Sequence, residues 1–185
     1  QDEARELMMA THNLLKPANG EPITVPNKEM AMGVYYLTVV DESVPAFTRM
    51  FADKAEAYHA YQIGAISTQQ LITVRMNGKR IETTIGRLQF NDILLDTFEF
   101  INEPVNAKKI KEIVTYAIST AEQEAVAGLI DDIKDIGFSA ATESGLSVSV
   151  TDCEMIPEKE GIVEEANKKA ETIQDQYQTG FISAE

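Results

Sequence analysis

Residues 69–90 read QQLITVRMNGKRIETTIGRLQF. Two β-rich runs flank Asn77-Gly78, and that dipeptide supplies the two positive-φ positions that a type I′ turn requires. The stretch is therefore expected to be a β-hairpin, with KRIETTIGRLQF as its second run. Helical patterning lies on either side of it. The hairpin thus decides the fold class as α+β: mixed helices with a small antiparallel sheet.

Toward the N-terminus, Ala4, Leu7, Met8, Thr11, Leu14 and Leu15 share one helical face over residues 3–15. Pro17 stops that helix, because a proline disfavours α geometry in the residue before it. Asn27 is expected to cap a second helix that carries Met30, Val34 and Leu37 on one stripe. Between the two lies THNLLKPANGEPITVP (11–26), which holds three of the six prolines and an Asn-Gly pair. Prolines remove backbone donors and fix φ, so this is a stiff turn-rich loop. Residues 39–50 read as a connector. Asp53 then opens a helix bearing Ala57, Tyr58 and Tyr61, with Gly64 as its stop.

Toward the C-terminus, Ile110, Ile113, Val114, Ala117 and Ile118 mark one helix. Val126, Leu129, Ile130 and Ile133 mark another, which Gly137 is expected to end. LSVSV (146–150) alternates as a short strand. From Pro157, a favourable first helical residue, Val163, Ala166, Ala170, Ile173 and Tyr177 recur in steps of three and four. That spacing is a heptad seam, and a seam requires a partner helix. Seven acids and three bases between Glu154 and Asp175 solvate the rest of this helix. Gly180 suits its C-terminal stop. The reading is a long helix that is half of a coiled-coil hairpin, whose returning arm is expected to follow.

The 185 residues suit one domain, or one domain with an appendage, and a hydrophobic share of 44% fits a globular chain. No run approaches the roughly 20 apolar residues of a membrane span. The start QDEARELMM lacks a basic region and an apolar core, which predicts no signal peptide, and a chain opening in mid-helix pattern reads as cut from something longer. A single cysteine, Cys153, excludes an internal disulfide and favours a reducing, cytoplasmic setting. The formal charge of −14 opposes binding of DNA or RNA by this segment alone.

Candidate chemistry is sparse. His12 and His59 have no Cys, His or carboxylate at metal-ligand spacing. Asp131, Asp132 and Asp135 share a helix and would suit a divalent ion, although Lys134 beside them favours a solvated charged face. No nucleophile elbow or phosphate-cradling glycine loop is present. Tyr35, Tyr36, Tyr58 and Tyr61 read as packing residues.

Several blocks in order carry a resemblance. They are EARELMMATHNLLKPANGEPITVPNKEMAMGVYYLT (3–38), TTIGR (83–87), FINEPV (100–105), DIKDIGFSAATESGLSVSV (132–150) and IPEKEGIVEEANKKAETIQDQYQTGFI (156–182). Together they resemble the bacterial RNA polymerase beta-prime subunit family, just after its catalytic loop. The resemblance implies a pore domain over residues 1–150 and the start of a funnel domain over 151–185, with the seam helix as the first arm of the secondary-channel rim. It implies pore-lining roles for Asn13, Asn19, Glu21, Lys28 and Glu29. It also implies a factor-docking tip at Gln178, Thr179, Gly180 and Phe181.

The implied partners are the beta, alpha and omega subunits, NTPs and a backtracked RNA 3′ end in the channel, and Gre-type cleavage factors. No cofactor is expected in this segment. The family's Mg²⁺ is held by an NADFDGD loop that the resemblance places before Gln1, so the segment alone is expected to be inactive in nucleotidyl transfer. Two positions depart from the family pattern. Glu143 stands where a basic residue is frequent, and Lys28 stands where Gln is common. A free-standing acidic module pairing through residues 163–177, and a metal-dependent hydrolase built on Asp131, Asp132 and Asp135, are the competing readings.

Overall fold

The computed structural model describes residues 1–154 and 156–183. Its chain divides into two compact units, Gln1–Leu146 and Ser147–Glu185.

The hairpin forms as its sequence demands. Strands β2 (Ile72–Met76) and β3 (Lys79–Thr83) pair antiparallel, with Ile72 opposite Thr83 and Met76 opposite Lys79. Asn77 and Gly78 sit at φ +51° and +77°, the left-handed region that a type I′ turn uses. A short strand β1 (Met50–Phe51) adds to β2 in parallel, so the three-stranded sheet is mixed. That strand lies at the end of the expected connector. Two residues are too few for alternation to show in the sequence.

The second β-run ends early. Thr84 turns extended and its hydroxyl accepts the Arg87 N–H, capping helix α4 (Ile85–Asp92). The stretch IGRLQF is therefore helical, which corrects the strand expected there. Ile85 and Leu88 of α4 pack with Phe51, Ala57, Ile66, Ile72 and Val74 in a core beneath the sheet. Helix α3 (Lys54–Gln62) closes that core. It starts at Asp53, whose carboxylate accepts the Glu56 N–H at 2.8 Å, and Gly64 follows it at φ +72°.

Phe90, from the same helix α4, enters a second and larger core. Helices α2 (Glu29–Thr38), α5 (Ala107–Thr120) and α6 (Gln123–Ser144) build it. Val34, Ile110, Val114, Ala117 and Ile133 are fully buried there, each large side chain contributing about 1.5–3 kcal/mol of transfer free energy.

Gly137 does not end α6. The helix continues to Ser144, and Gly145 at φ +62° is its left-handed cap. Gly137 serves close packing instead. A Cβ built on Gly33 of α2 would lie 1.9 Å from the Gly137 carbonyl oxygen, and one on Gly137 would lie 2.6 Å from that of Met30. Only two glycines allow α2 and α6 to pack backbone to backbone here.

The N-terminal helix is shorter than its pattern. Helix α1 covers Asp2–Glu6 and a separate 3₁₀ turn covers Ala10–His12. Leu7 and Met8 are 67% and 77% exposed, so the apolar stripe finds no core to hold it in helical form. The Asn13 amide takes the Leu7 and Met9 carbonyls in place of helical partners. The cap of α2 is also displaced by one residue, from Asn27 to Lys28.

In the second unit, LSVSV is not a strand. Val148 and Val150 are exposed, and residues 150–152 form a 3₁₀ turn that Ser149 and Asp152 close with a capping box. Alternation without a neighbouring strand to pair with gives extended chain only. Helix α7 (Lys159–Gln178) follows, starting two residues after Pro157, with no buried residue. Val163, Ile173 and Tyr177 of the seam are 48%, 56% and 49% exposed.

Candidate functional site

The loop between the 3₁₀ turn and α2 is a closed, braced structure. Leu15 and Pro22 form an isolated antiparallel bridge. The Lys16 N–H donates to the Glu21 carbonyl at 2.8 Å, and the Ile23 N–H to the Leu14 carbonyl at 2.9 Å. Gly20 at φ +67° makes the reversal. Leu14 is buried in the helical core, and Pro22 and Pro26 are buried as well. The loop is thus pinned by one apolar anchor and two rigid residues.

Three of the five pore-lining candidates are part of this bracing. Asn13 holds two carbonyls of the preceding segment, at 2.8 and 3.0 Å. The Asn19 side-chain oxygen accepts the Glu21 N–H at 3.2 Å. Glu21 takes the Lys111 ammonium of α5 at 2.8 Å, with Lys16 at 3.6 Å. The hydrogen bond and charge of Lys111 hold the Glu21 carboxyl below its usual range against desolvation, with smaller help from Asn19 and Lys16.

Lys28 and Glu29 behave differently. Both are exposed, and neither has an ion-pair partner among the described residues. Lys28 sits at φ +51°, ψ −121°, a conformation that costs a residue with a Cβ on the order of 1–3 kcal/mol. It also places a cation at the positive end of the α2 dipole.

Beneath the loop, a cleft of about 280 Å³ lies between Asn13, Leu14, Ile118 and Val126. His12 is at its rim, its Nδ1 at 2.6 Å from the Glu6 carbonyl. His59 is an exposed residue of α3. Asp131 and Asp135 are both bridged by Lys134, at 3.1 and 3.2 Å. Among the described residues no group of three or more His, Cys, Asp or Glu could hold a metal ion. Tyr58 donates to Asp92 at 2.7 Å, and burial together with that carboxylate pushes its phenol far up.

A second cluster was not singled out from sequence. Arg87 is buried, and its guanidinium donates to the Thr38 carbonyl at 2.9 Å and to the carbonyl and side chain of Asn102 at 3.1 and 3.2 Å. The Thr38 hydroxyl donates to the Val34 carbonyl and accepts the Val105 N–H, both at 2.8 Å. Asn91 clamps Ile101 through both backbone groups. The blocks TTIGR and FINEPV therefore meet at the end of α2. The signal that could have found the contact was a pair of polar side chains, Arg87 and Asn102, one in each block. What they do is position the helical core, and they form no reactive site.

At the far end of the chain the expected tip is a Schellman turn. The Phe181 N–H donates to the Gln176 carbonyl and the Gly180 N–H to that of Tyr177, at 2.9 and 3.1 Å. Gly180 is at φ +79°, and Phe181 is left 84% exposed. Gln178 and Thr179 complete the last turn, with the Thr179 hydroxyl on the Asp175 carbonyl at 2.7 Å.

A braced loop on a glycine-packed helix pair, beside a small mixed sheet, makes up an α+β domain. Residues 13–153 match the family RNA polymerase Rpb1, domain 3, and the chain belongs to that family. Over 99% of its length it is 39% identical to the DNA-directed RNA polymerase subunit beta' of Sulfurihydrogenibium sp.. Over its full length it is 40% identical to that of Thermosipho africanus and 36% to that of Pelotomaculum thermopropionicum. The chain spans between 12% and 16% of the length of these relatives.

Proposed function

We propose that this chain is a scaffold segment of a DNA-directed RNA polymerase large subunit, shaping the pore beside the active centre and the rim of the secondary channel. The observation that carries the reading is the family match over residues 13–153, together with identity along the whole chain to beta' subunits. Residues 1–150 would be the pore domain and 151–185 the start of the funnel. The assembled enzyme, with its beta, alpha and omega partners, would synthesise RNA from NTPs in the cytoplasm. This chain would supply the walls.

The local chemistry supports a wall and gives no support to a catalytic centre in this segment. In this reading the segment holds no resident Mg²⁺, since Lys134 is already bridged between Asp131 and Asp135 on the acidic face of α6. The two-metal chemistry of nucleotidyl transfer needs carboxylates free to place the ions, and in this reading they belong to the catalytic loop elsewhere in the subunit. Asn13, Asn19 and Glu21 stiffen the loop, and Lys28 and Glu29 face the channel solutes. Lys28 would attract the triphosphate of an entering NTP or the phosphates of an extruded RNA 3′ end, offsetting locally the acidity of the chain.

In assembled polymerase, Lys28→Glu is expected to raise the KM for NTP several-fold with little change in kcat. An unchanged KM removes Lys28 from the pore. The exposed Phe181 tip would dock Gre-type cleavage factors. Phe181→Ala in the same enzyme should weaken factor-stimulated transcript cleavage and leave factor-free elongation intact. A free-standing acidic module is not favoured, since the relatives named above are polymerase subunits.

A further inference from the structure

Most lysines outside the sheet are paired. Lys16, Lys54, Lys108, Lys109, Lys111, Lys134, Lys168 and Lys169 each lie within 4.0 Å of a carboxylate. The sheet is different. Arg75, Lys79 and Arg80 fall within six residues of the hairpin and are exposed. None of them has an ion-pair partner among the described residues.

The register sharpens the point. Arg75 stands directly opposite Arg80, which places their Cβ atoms about 4.5–5.5 Å apart, and like charges so placed oppose the pairing. Ile72 and Val74 point into the core. Strand alternation therefore puts Thr73, Arg75, Arg80 and Glu82 together on the outer face. Glu82 is the acid of that face, and among the described residues it forms no ion pair with either arginine. The face continues onto β1 through Met50, which is opposite Thr73 and 41% exposed.

A self-repelling arginine pair, left unneutralised in a chain of net charge −14, is suited to an external anion. We propose that the outer face of the sheet, centred on Arg75 and Arg80, docks an Asp/Glu-rich segment of another protein chain. The two guanidinium forks would each receive a carboxylate in bidentate fashion. A protein occupant is favoured over nucleic acid on two grounds. A phosphate backbone needs an extended basic track, whereas this footprint is centred on two arginines in a chain of net charge −14. An arginine pair beside an exposed methionine also matches the composition of protein–protein contacts.

The inference rests on the reading of the chain as part of a multisubunit enzyme, and one experiment separates the two. The full-length subunit would carry benzoylphenylalanine at Thr73, be assembled with its partner subunits, irradiated, and the crosslinked peptide sequenced. The expected product joins residue 73 to an acidic protein segment. Its yield should fall about tenfold, equivalent to about 1.4 kcal/mol of binding, in both R75E/R80E and the milder R75T/R80T. A crosslink to template or transcript, to a protein segment without acids, or to nothing overturns the inference while co-purification of the subunits leaves the proposed function standing. Failure of the subunit with Arg75 and Arg80 intact to co-purify overturns both.

Discussion

Gly33 and Gly137 show what a single residue decides in this fold. With the facing carbonyl oxygens 1.9 and 2.6 Å from where a Cβ would be, neither position has room for a methyl group unless the helices part. Gly137→Ala is expected to destabilise the chain by about 1–3 kcal/mol through overpacking, read as a lower denaturant midpoint at unchanged slope. The contrasting case is Thr83, whose buried hydroxyl has no hydrogen-bond partner among the described residues. Thr83→Val keeps the shape and removes an unsatisfied polar group, so urea unfolding should show stability unchanged or slightly raised. Neither property was legible in the sequence. Gly137 looks like a helix stop when read along its own helix, and only the approach of α2 gives it another purpose.

Among the elements, legibility followed the range of the interactions that make them. The hairpin was readable because Asn77-Gly78 fixes its turn locally. The helix at 107–120 was readable because Ile110, Ile113, Val114 and Ala117 repeat at helical period, and Asn106 caps it by accepting the Lys109 N–H. Helix α4 was not, because its β-branched start continues the pattern of β3 and only Thr84 marks the change. Thr84→Ala should therefore cost about 0.5–2 kcal/mol in thermal or urea unfolding.

The loop at 13–26 was legible as stiff but not as tied to α5, since Glu21 and Lys111 are far apart in the chain. Its ion pair carries a pH signature. Lys111 holds the Glu21 pKa below the usual value of 4.5, so the pair stabilises the loop above the unfolded-state pKa. That contribution is lost as pH falls through the lowered folded-state value. Carboxyl chemical shifts of Glu21 should report a midpoint below the usual range, and Lys111→Met should move it up toward that range. An identical midpoint in both proteins would remove the tether.

For the molecule as a whole, α7 was legible in the sequence as a long helix, and its seam residues Val163, Ile173 and Tyr177 are exposed. Charge at −14, the bracing of the loop and the family match fit a part that is shaped to sit among other chains. We propose that this segment shapes a polymerase without performing its chemistry. Template-directed incorporation of labelled NTPs tests that most directly, comparing three samples: this chain alone, the remaining subunit pieces without it, and the two reassembled. Incorporation is expected only in the reassembled enzyme. Incorporation by the chain alone, or full activity without it, would rule out that role.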